Sequence, residues 1–181
     1  LHKAIRRQRQ MCIRDRTMKR AADILEELHC PFIINQNRYS IFDRTIENNG
    51  LKNTAEKLGK GIIAFSPLAQ GMLTDRYLNG IPCDSRVKKD GRFLKENALT
   101  KERIMQIEQL NALAEERGQS LAEMALAWVL KDHSVTSVLI GASKPSQILD
   151  NIRAIQNTSF CEEELEKIEN IYLMNPDYTT R

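Results

Sequence analysis

Two stretches of the chain gather glycines, hydroxyls, amides and arginines at spacings that suit an anionic ligand. In the first, Gly61–Gly80 (GIIAFSPLAQGMLTDRYLNG), the apolar run Ile62-Ile63-Ala64-Phe65 gives way to Ser66-Pro67-Leu68, then to Arg76 and, further on, Arg86. In the second, Gly141-Ala142-Ser143 leads to Pro145, with Gln147, Asp150 and Asn151 close behind. Glycine lets a backbone approach a ligand closely, and the unpaired N–H groups of a helix start favour an anion. Arginine adds charge-assisted, often bidentate contacts to phosphate. An arginine on a 2′-phosphate points to NADP(H) rather than NAD(H). Taken singly, each feature also has a plainer reading: Ser143–Asn151 as ordinary helix capping, the arginines as solvated loop charges. Their joint placement behind two strands favours the ligand.

The elements that must position these residues follow from periodicity. Ile62–Phe65 is too short for a helix and starts at a glycine, which predicts a buried strand over Gly61–Phe65. Phe32-Ile33-Ile34 predicts another, with Asn35-Gln36-Asn37 at its exit, and Ser137–Ile140 a third. Helical stripes are expected at Met18, Ala21, Ala22, Leu25 and Leu28; at Leu51, Ala55 and Leu58; at Ile104, Ile107, Leu110 and Leu113; and at Leu121, Met124, Ala125, Trp128 and Val129. Ser120 with Glu123, and Ser159 with Glu162, have the spacing of capping boxes. Pro145 suits a first helical turn, with Ile148, Ile152 and Ile155 facing inward. Leu165, Ile168 and Tyr172 line the last helix. Residues 79–98 read as loop. Strands alternating with helices predict a parallel sheet built from βαβ units. Three such strands make either a small open sheet or a piece of a larger barrel. In (β/α)8 barrels, a phosphate site is often built from the loops after the last two strands and a helix N-terminus.

Composition narrows the classes. The chain has 181 residues, 41% hydrophobic and 28% charged, as in an ordinary globular domain. Residues 1–20 hold eight of the 27 Lys and Arg but only one of the 24 acids, so the remainder, 19 basic against 23 acidic, is mildly acidic. That argues against a nucleic-acid partner. Cys12, Cys30, Cys83 and Cys161 lie far apart without a CxxC, and no histidine stands at ligand spacing. Neither a metal site nor a disulfide framework is expected, and a reducing, cytoplasmic setting fits. No apolar run approaches the roughly 20 residues of a membrane span.

Residues 1–16 (LHKAIRRQRQMCIRDR) fit nothing downstream. They could be a nucleic-acid arm or a transit peptide, although serine is lacking. The reading preferred is a non-native leader, because Met11–Arg16 (MCIRDR) resembles the translation of a sequencing-adapter end. The folded domain is then expected over 17–181.

The stretches Ala64–Arg86 and Ser137–Asn157 resemble the C-terminal cofactor motifs of aldo-keto reductases. The similarity is greatest to the branch of bacterial L-glyceraldehyde 3-phosphate reductases and voltage-gated potassium channel β subunits. It runs from about Thr17 to about Tyr172. It implies an α/β fold, the C-terminal part (about strands 6–8) of a (β/α)8 TIM barrel, holding NADP(H) without a Rossmann glycine motif. By the same resemblance Gln36 matches a glutamine beside the nicotinamide carboxamide, and Phe65 the aromatic residue that stacks on the nicotinamide. Ser66, Pro67 and Leu68 match the turn around the pyrophosphate, Arg76 a lysine or arginine position, and Arg86 an arginine of the loop over the dinucleotide. Gly141, Ser143 and Gln147 match residues around the adenosine phosphates, and Asp150 and Asn151 a Glu-Asn pair near the adenine. Asp75, where glycine is common, and Asp150, where glutamate is, depart from the pattern.

The family's tyrosine acid, supported by lysine, aspartate and histidine, comes from the first half of such a barrel. Tyr39, Tyr77, Tyr172 and Tyr178 do not match its position, and His29 and His133 read as structural or surface residues. No catalytic residue is therefore assigned. The resemblance implies NADPH-dependent reduction of small aldehydes or ketones by the whole protein, with no membrane or nucleic-acid partner and with homo-oligomers permitted. Two other readings stand beside it: an NADP(H)-binding redox-sensing regulatory subunit, and an inactive truncated fragment. By itself the chain, with open sheet edges, is expected to aggregate or stay partly molten.

Overall fold

Gly61–Phe65 forms, as its pattern predicts, the middle strand of a three-stranded parallel sheet whose two faces differ. A computed structural model describes residues 15–30, 32–78, 80 and 98–176. In chain order the described elements are α1 (Asp15–Glu27), β1 (Ile34–Arg38), α2 (Thr45–Asn48), α3 (Leu51–Lys57), β2 (Gly61–Phe65), α4 (Lys101–Glu116), α5 (Leu121–Leu130), β3 (Ser137–Val138), α6 (Pro145–Arg153) and α7 (Glu162–Leu173). The sheet order is β1-β2-β3, every pair parallel.

Side chains alternate across a strand, so each strand offers one set of residues to each face. Asn37, Ile62 and Ala64 are buried against the helices. Ile62 and Ala64 join a core with Leu51 and Ala55 of α3, Ile107 and Leu110 of α4, Met124 and Trp128 of α5, and Ile168 of α7. Each large side chain buried there contributes about 1.5–3 kcal/mol. On the other face Ile34, Gln36 and Leu139 are exposed, and Ile63 and Phe65 only half-buried. A doubly wound sheet carries helices on both faces. Helices on one face alone are the layout of consecutive units of a (β/α)8 barrel, whose other face lines the interior.

Three expectations need correction. The first strand lies at Ile34–Arg38, not Phe32–Ile34, and Ile33 is 77% exposed. The ladder to β2, with Ile34 opposite Gly61 and Arg38 opposite Phe65, draws the polar residues into the strand. The Asn37 amide then donates to the Asn35 side-chain oxygen at 2.8 Å, so these amides meet part of each other's hydrogen-bonding need. Gln36 thus sits mid-strand rather than at its exit. The third strand ends at Val138, with one more ladder bond from the Leu139 N–H to the Ala64 carbonyl (2.8 Å). Finally, Ile148, Ile152 and Ile155 of α6 and its extension face outward, while Asn151 and Ala154 face inward. Among the described residues no layer lies on the apolar side of α6, so its stripe meets solvent.

Local signals do better where they act within a few residues. The Ser120 hydroxyl accepts from the Glu123 N–H at 3.2 Å, and the Glu123 carboxylate from the Ser120 N–H at 2.7 Å. The last helix, however, is capped two residues later than the Ser159–Glu162 pair, by Cys161 with Glu164: Glu164 accepts from the Cys161 N–H at 2.8 Å. Arg117 decides this, since its guanidinium reaches Glu164 at 2.5 Å and stacks over Phe160.

Candidate functional site

The turn leaving β2 is the most constrained backbone in the described chain. Ser66, Ala69 and Gln70 all have φ between 47° and 62°, a region that costs a non-glycine residue about 1–2 kcal/mol. Hydrogen bonds hold it there: Ala69 N–H to the Ser66 carbonyl (3.0 Å), Gly71 N–H to the Leu68 carbonyl (2.8 Å), and the Gln70 amide to the Ser66 hydroxyl (3.0 Å). Buried Pro67 and part-buried Leu68 anchor it to the core. Their side chains point into the fold, which leaves Ser66 and the backbone to meet a ligand. Strain clustered at one strand exit is characteristic of binding sites.

Gln36 and Phe65 share the uncovered sheet face, on adjacent strands. Arg38, two residues after Gln36 and directly opposite Phe65, lies on the same face with its guanidinium 5.8 Å from the Phe65 ring centre. Placing the strand at Phe32–Ile34 hid this residue; the alternation of β1 as it forms would have found it. A shallow pocket between the exits of β1 and β2 is lined by Arg38, Ser40, Asp43, Ser66, Ala69 and Gln70.

At the exit of β3, Gly141 has open space where a side chain would be. The Gln147 side-chain oxygen accepts from the Ser143 N–H (2.8 Å), the Ser143 hydroxyl (3.1 Å) and the Lys144 N–H (3.3 Å). A neutral oxygen thus holds the donors that would meet an anion at the start of α6. Asp150 is exposed and pairs with Arg153 at 3.4 Å, whereas Asn151 is buried. Arg76 occupies a short 3-10 turn after β2, its N–H donating to the Thr74 hydroxyl at 3.3 Å. Arg86 lies outside the described residues.

A second cluster carries the residue types of an acid–base site but the wrong environment. The Tyr39 hydroxyl bonds Glu47, Lys131 (3.2 Å) and Lys52 (3.4 Å), and Lys52 also pairs with Asp132. Burial, then the Glu47 charge, pushes the Tyr39 pKa upward, the reverse of what a proton donor at neutral pH needs. Tyr39 is fully buried on the helix-facing side, against Trp128 at 5.2 Å between ring centres. Its role is to join β1 to α3 and α5. Arg44 does likewise, held between the Trp128 and Tyr172 rings (4.7 and 4.3 Å) and paired with Glu169. His29 and His133 are exposed turn residues with positive φ. Among the described residues no group of metal-ligating side chains occurs, and no helix is long and apolar enough to cross a membrane.

With this geometry in hand, similarity to known proteins is informative. The model of the aldo/keto reductase family matches residues 9–173. The L-glyceraldehyde 3-phosphate reductases of two Escherichia coli strains are 45% identical over 158 residues, covering 86% of this chain and 45% of theirs. The glycerol dehydrogenase of Gluconobacter oxydans superposes with a TM-score of 0.68 at 28% identity, over 88% of this chain and 49% of that one. The chain spans about half the length of these relatives.

Proposed function

The chain belongs to the aldo/keto reductase family, and from that premise we propose that it supplies the NADP(H)-binding part of a protein that reduces small aldehydes, including phosphorylated ones. The observation that carries this reading is the open sheet face among the described residues, where Gln36, opposite Ile63, and Phe65, one same-face pair further along, share one side of adjacent strands that lead into the strained Ser66–Gln70 turn. The residues present fit such a cofactor. Phe65 offers a half-buried ring for stacking, Gln36 a carboxamide partner, and the open space at Gly141 a close backbone approach. Ser143 and Gln147 would hold phosphate oxygens once the Gln147 amide turns, Arg76 and Arg86 would supply charge, and Asp150 and Asn151 would flank the adenine. When bound, the cofactor supplies hydride. What these residues do is orient its ring and neutralise its phosphates. The family name of the Escherichia coli relatives motivates the substrate class.

Titrating the full chain with NADPH and following nicotinamide fluorescence tests the reading. Saturable binding is expected, weaker for NADH, and weakened several-fold in Phe65→Ala, since an aromatic pair is worth about 0.5–1.5 kcal/mol. Absence of saturable NADPH binding would overturn the proposal. Equal affinity for NADH would overturn its 2′-phosphate part.

A further inference from the structure

We propose that Arg38 makes this chain favour the reduced over the oxidised nicotinamide cofactor, by setting a guanidinium charge beside the Phe65 ring. The nicotinamide on Phe65 comes from the cofactor reading above, on which this assignment rests; the charge comes from this chain's own strand register. Arg38 stands directly opposite Phe65 in the β1–β2 ladder, so both side chains leave the sheet on its uncovered face. The guanidinium lies 5.8 Å from the Phe65 ring centre, within reach of a cation–π contact. Ile34, Gln36, Ile63 and Ser137 share that face and carry no charge. Among the described strand residues, Arg38 is therefore the one charge there.

That charge is only partly cancelled. The Asp43 carboxylate stands 3.9 Å away, at the outer limit of an ion pair, and the Arg38 side chain is 31% exposed. The other Asp43 oxygen is taken by the Thr45 N–H (3.2 Å) and hydroxyl (2.7 Å). A nicotinamide ring is positively charged when oxidised and neutral when reduced, so Arg38 repels it in one oxidation state only. Between unit charges about 8–10 Å apart, at an effective dielectric constant of about 20, such repulsion exceeds tenfold in affinity; Asp43 and solvent bring it down to several-fold. The phosphates carry the same charge in both states, so an arginine that grips them strengthens both alike. Arg38 thus acts through a difference between two affinities, which is what shifts an equilibrium. It holds the hydride donor and favours release of the spent cofactor.

The test is the ratio of dissociation constants, NADP+ over NADPH, for the full chain as wild type, Arg38→Gln, Arg38→Lys and Asp43→Asn. NADPH is titrated by nicotinamide fluorescence and NADP+ by displacing it, and far-UV circular dichroism checks that the variants fold alike. The ratio cancels any loss of packing that weakens both forms equally. It should fall roughly three- to tenfold in Arg38→Gln and stay within about twofold of wild type in Arg38→Lys, which keeps the charge. Asp43→Asn should raise it, because Asn keeps an oxygen for Thr45 while removing the opposing charge. An unchanged ratio in Arg38→Gln, with both forms still bound, overturns the bias and leaves the cofactor reading standing. An equal fall in Arg38→Gln and Arg38→Lys overturns it too, since charge would not be the cause. Absence of saturable wild-type binding of either form overturns the cofactor reading and the bias together.

Discussion

Lys131 and Tyr39 share a buried contact and respond to pH in opposite senses. Burial first, and then the neighbouring Lys52 charge, lower the Lys131 pKa from 10.5 to about 8, against the pull of Glu47 and Asp132. The ammonium also sits 3.7 Å from the centre of the Trp128 ring. Because the folded lysine binds its proton more weakly than the unfolded one, the unfolded chain holds more protons between pH 8 and 10.5. Stability therefore rises across that window. Tyr39 is raised, so the unfolded chain loses its phenol proton first and stability falls from about pH 10 upward. Unfolding free energies from urea titrations should climb from pH 8 toward pH 10, by on the order of 2 kcal/mol, and then turn down. Lys131→Met should abolish the climb and keep the fall. A flat wild-type profile would show that the pair is solvated. Neither residue stands out in the sequence, since a tyrosine and a lysine remote in the chain become partners only when α5 packs on β1.

At the scale of elements, β2 depends on a close approach that only glycine allows. A side-chain carbon added at Gly61 would lie 2.6 Å from the Thr136 hydroxyl and 3.3 Å from an Ile34 side-chain carbon, so both neighbouring strands crowd it. Gly61→Ala should cost about 1–3 kcal/mol in urea unfolding. Gly59→Ala has open space but a φ of 61°, so its cost should come from backbone strain alone, about 1 kcal/mol. Equal, negligible effects at both sites would mean that the β1–β2–β3 register differs from the one described. The elements legible in advance were those with their own local signals: β2 from its apolar run, α5 from its capping box, α3 from its stripe and the left-handed Gly59 that closes it. The register of β1 and the start of α7 were not legible, because a ladder to β2 and a guanidinium from α4 decided them.

Among the described residues the sheet keeps one helix-covered face and one that no element covers. Ile34 and Leu139 on the sheet, and Leu149, Ile152 and Ile155 along α6, are between 38% and 65% exposed. β1 and β3 end the described sheet with unpaired edges. Apolar surface and strand edges left open in this way drive association. The chain should bind an apolar-patch dye and sediment with a concentration-dependent mass. Ile152→Lys with Ile155→Lys should reduce both without loss of helicity. A monodisperse wild type that binds no dye would show that these faces are covered in solution.

The sequence alone determined the class of this protein: parallel βα units, a turn at Ser66-Pro67-Leu68 where β2 ends, and the aldo/keto reductase resemblance later shown by comparison. Those features arise from interactions between residues a few positions apart, where period, caps and glycine conformations act. Tertiary structure decided which way side chains face. It turned Arg38 beside Phe65, sent Tyr39 into the helix layer on the other face, buried Asn151 in place of Ile152, and set the Gln147 oxygen over the Ser143 and Lys144 N–H groups just before α6. Facing depends on strand register and helix packing, which are contacts between distant residues.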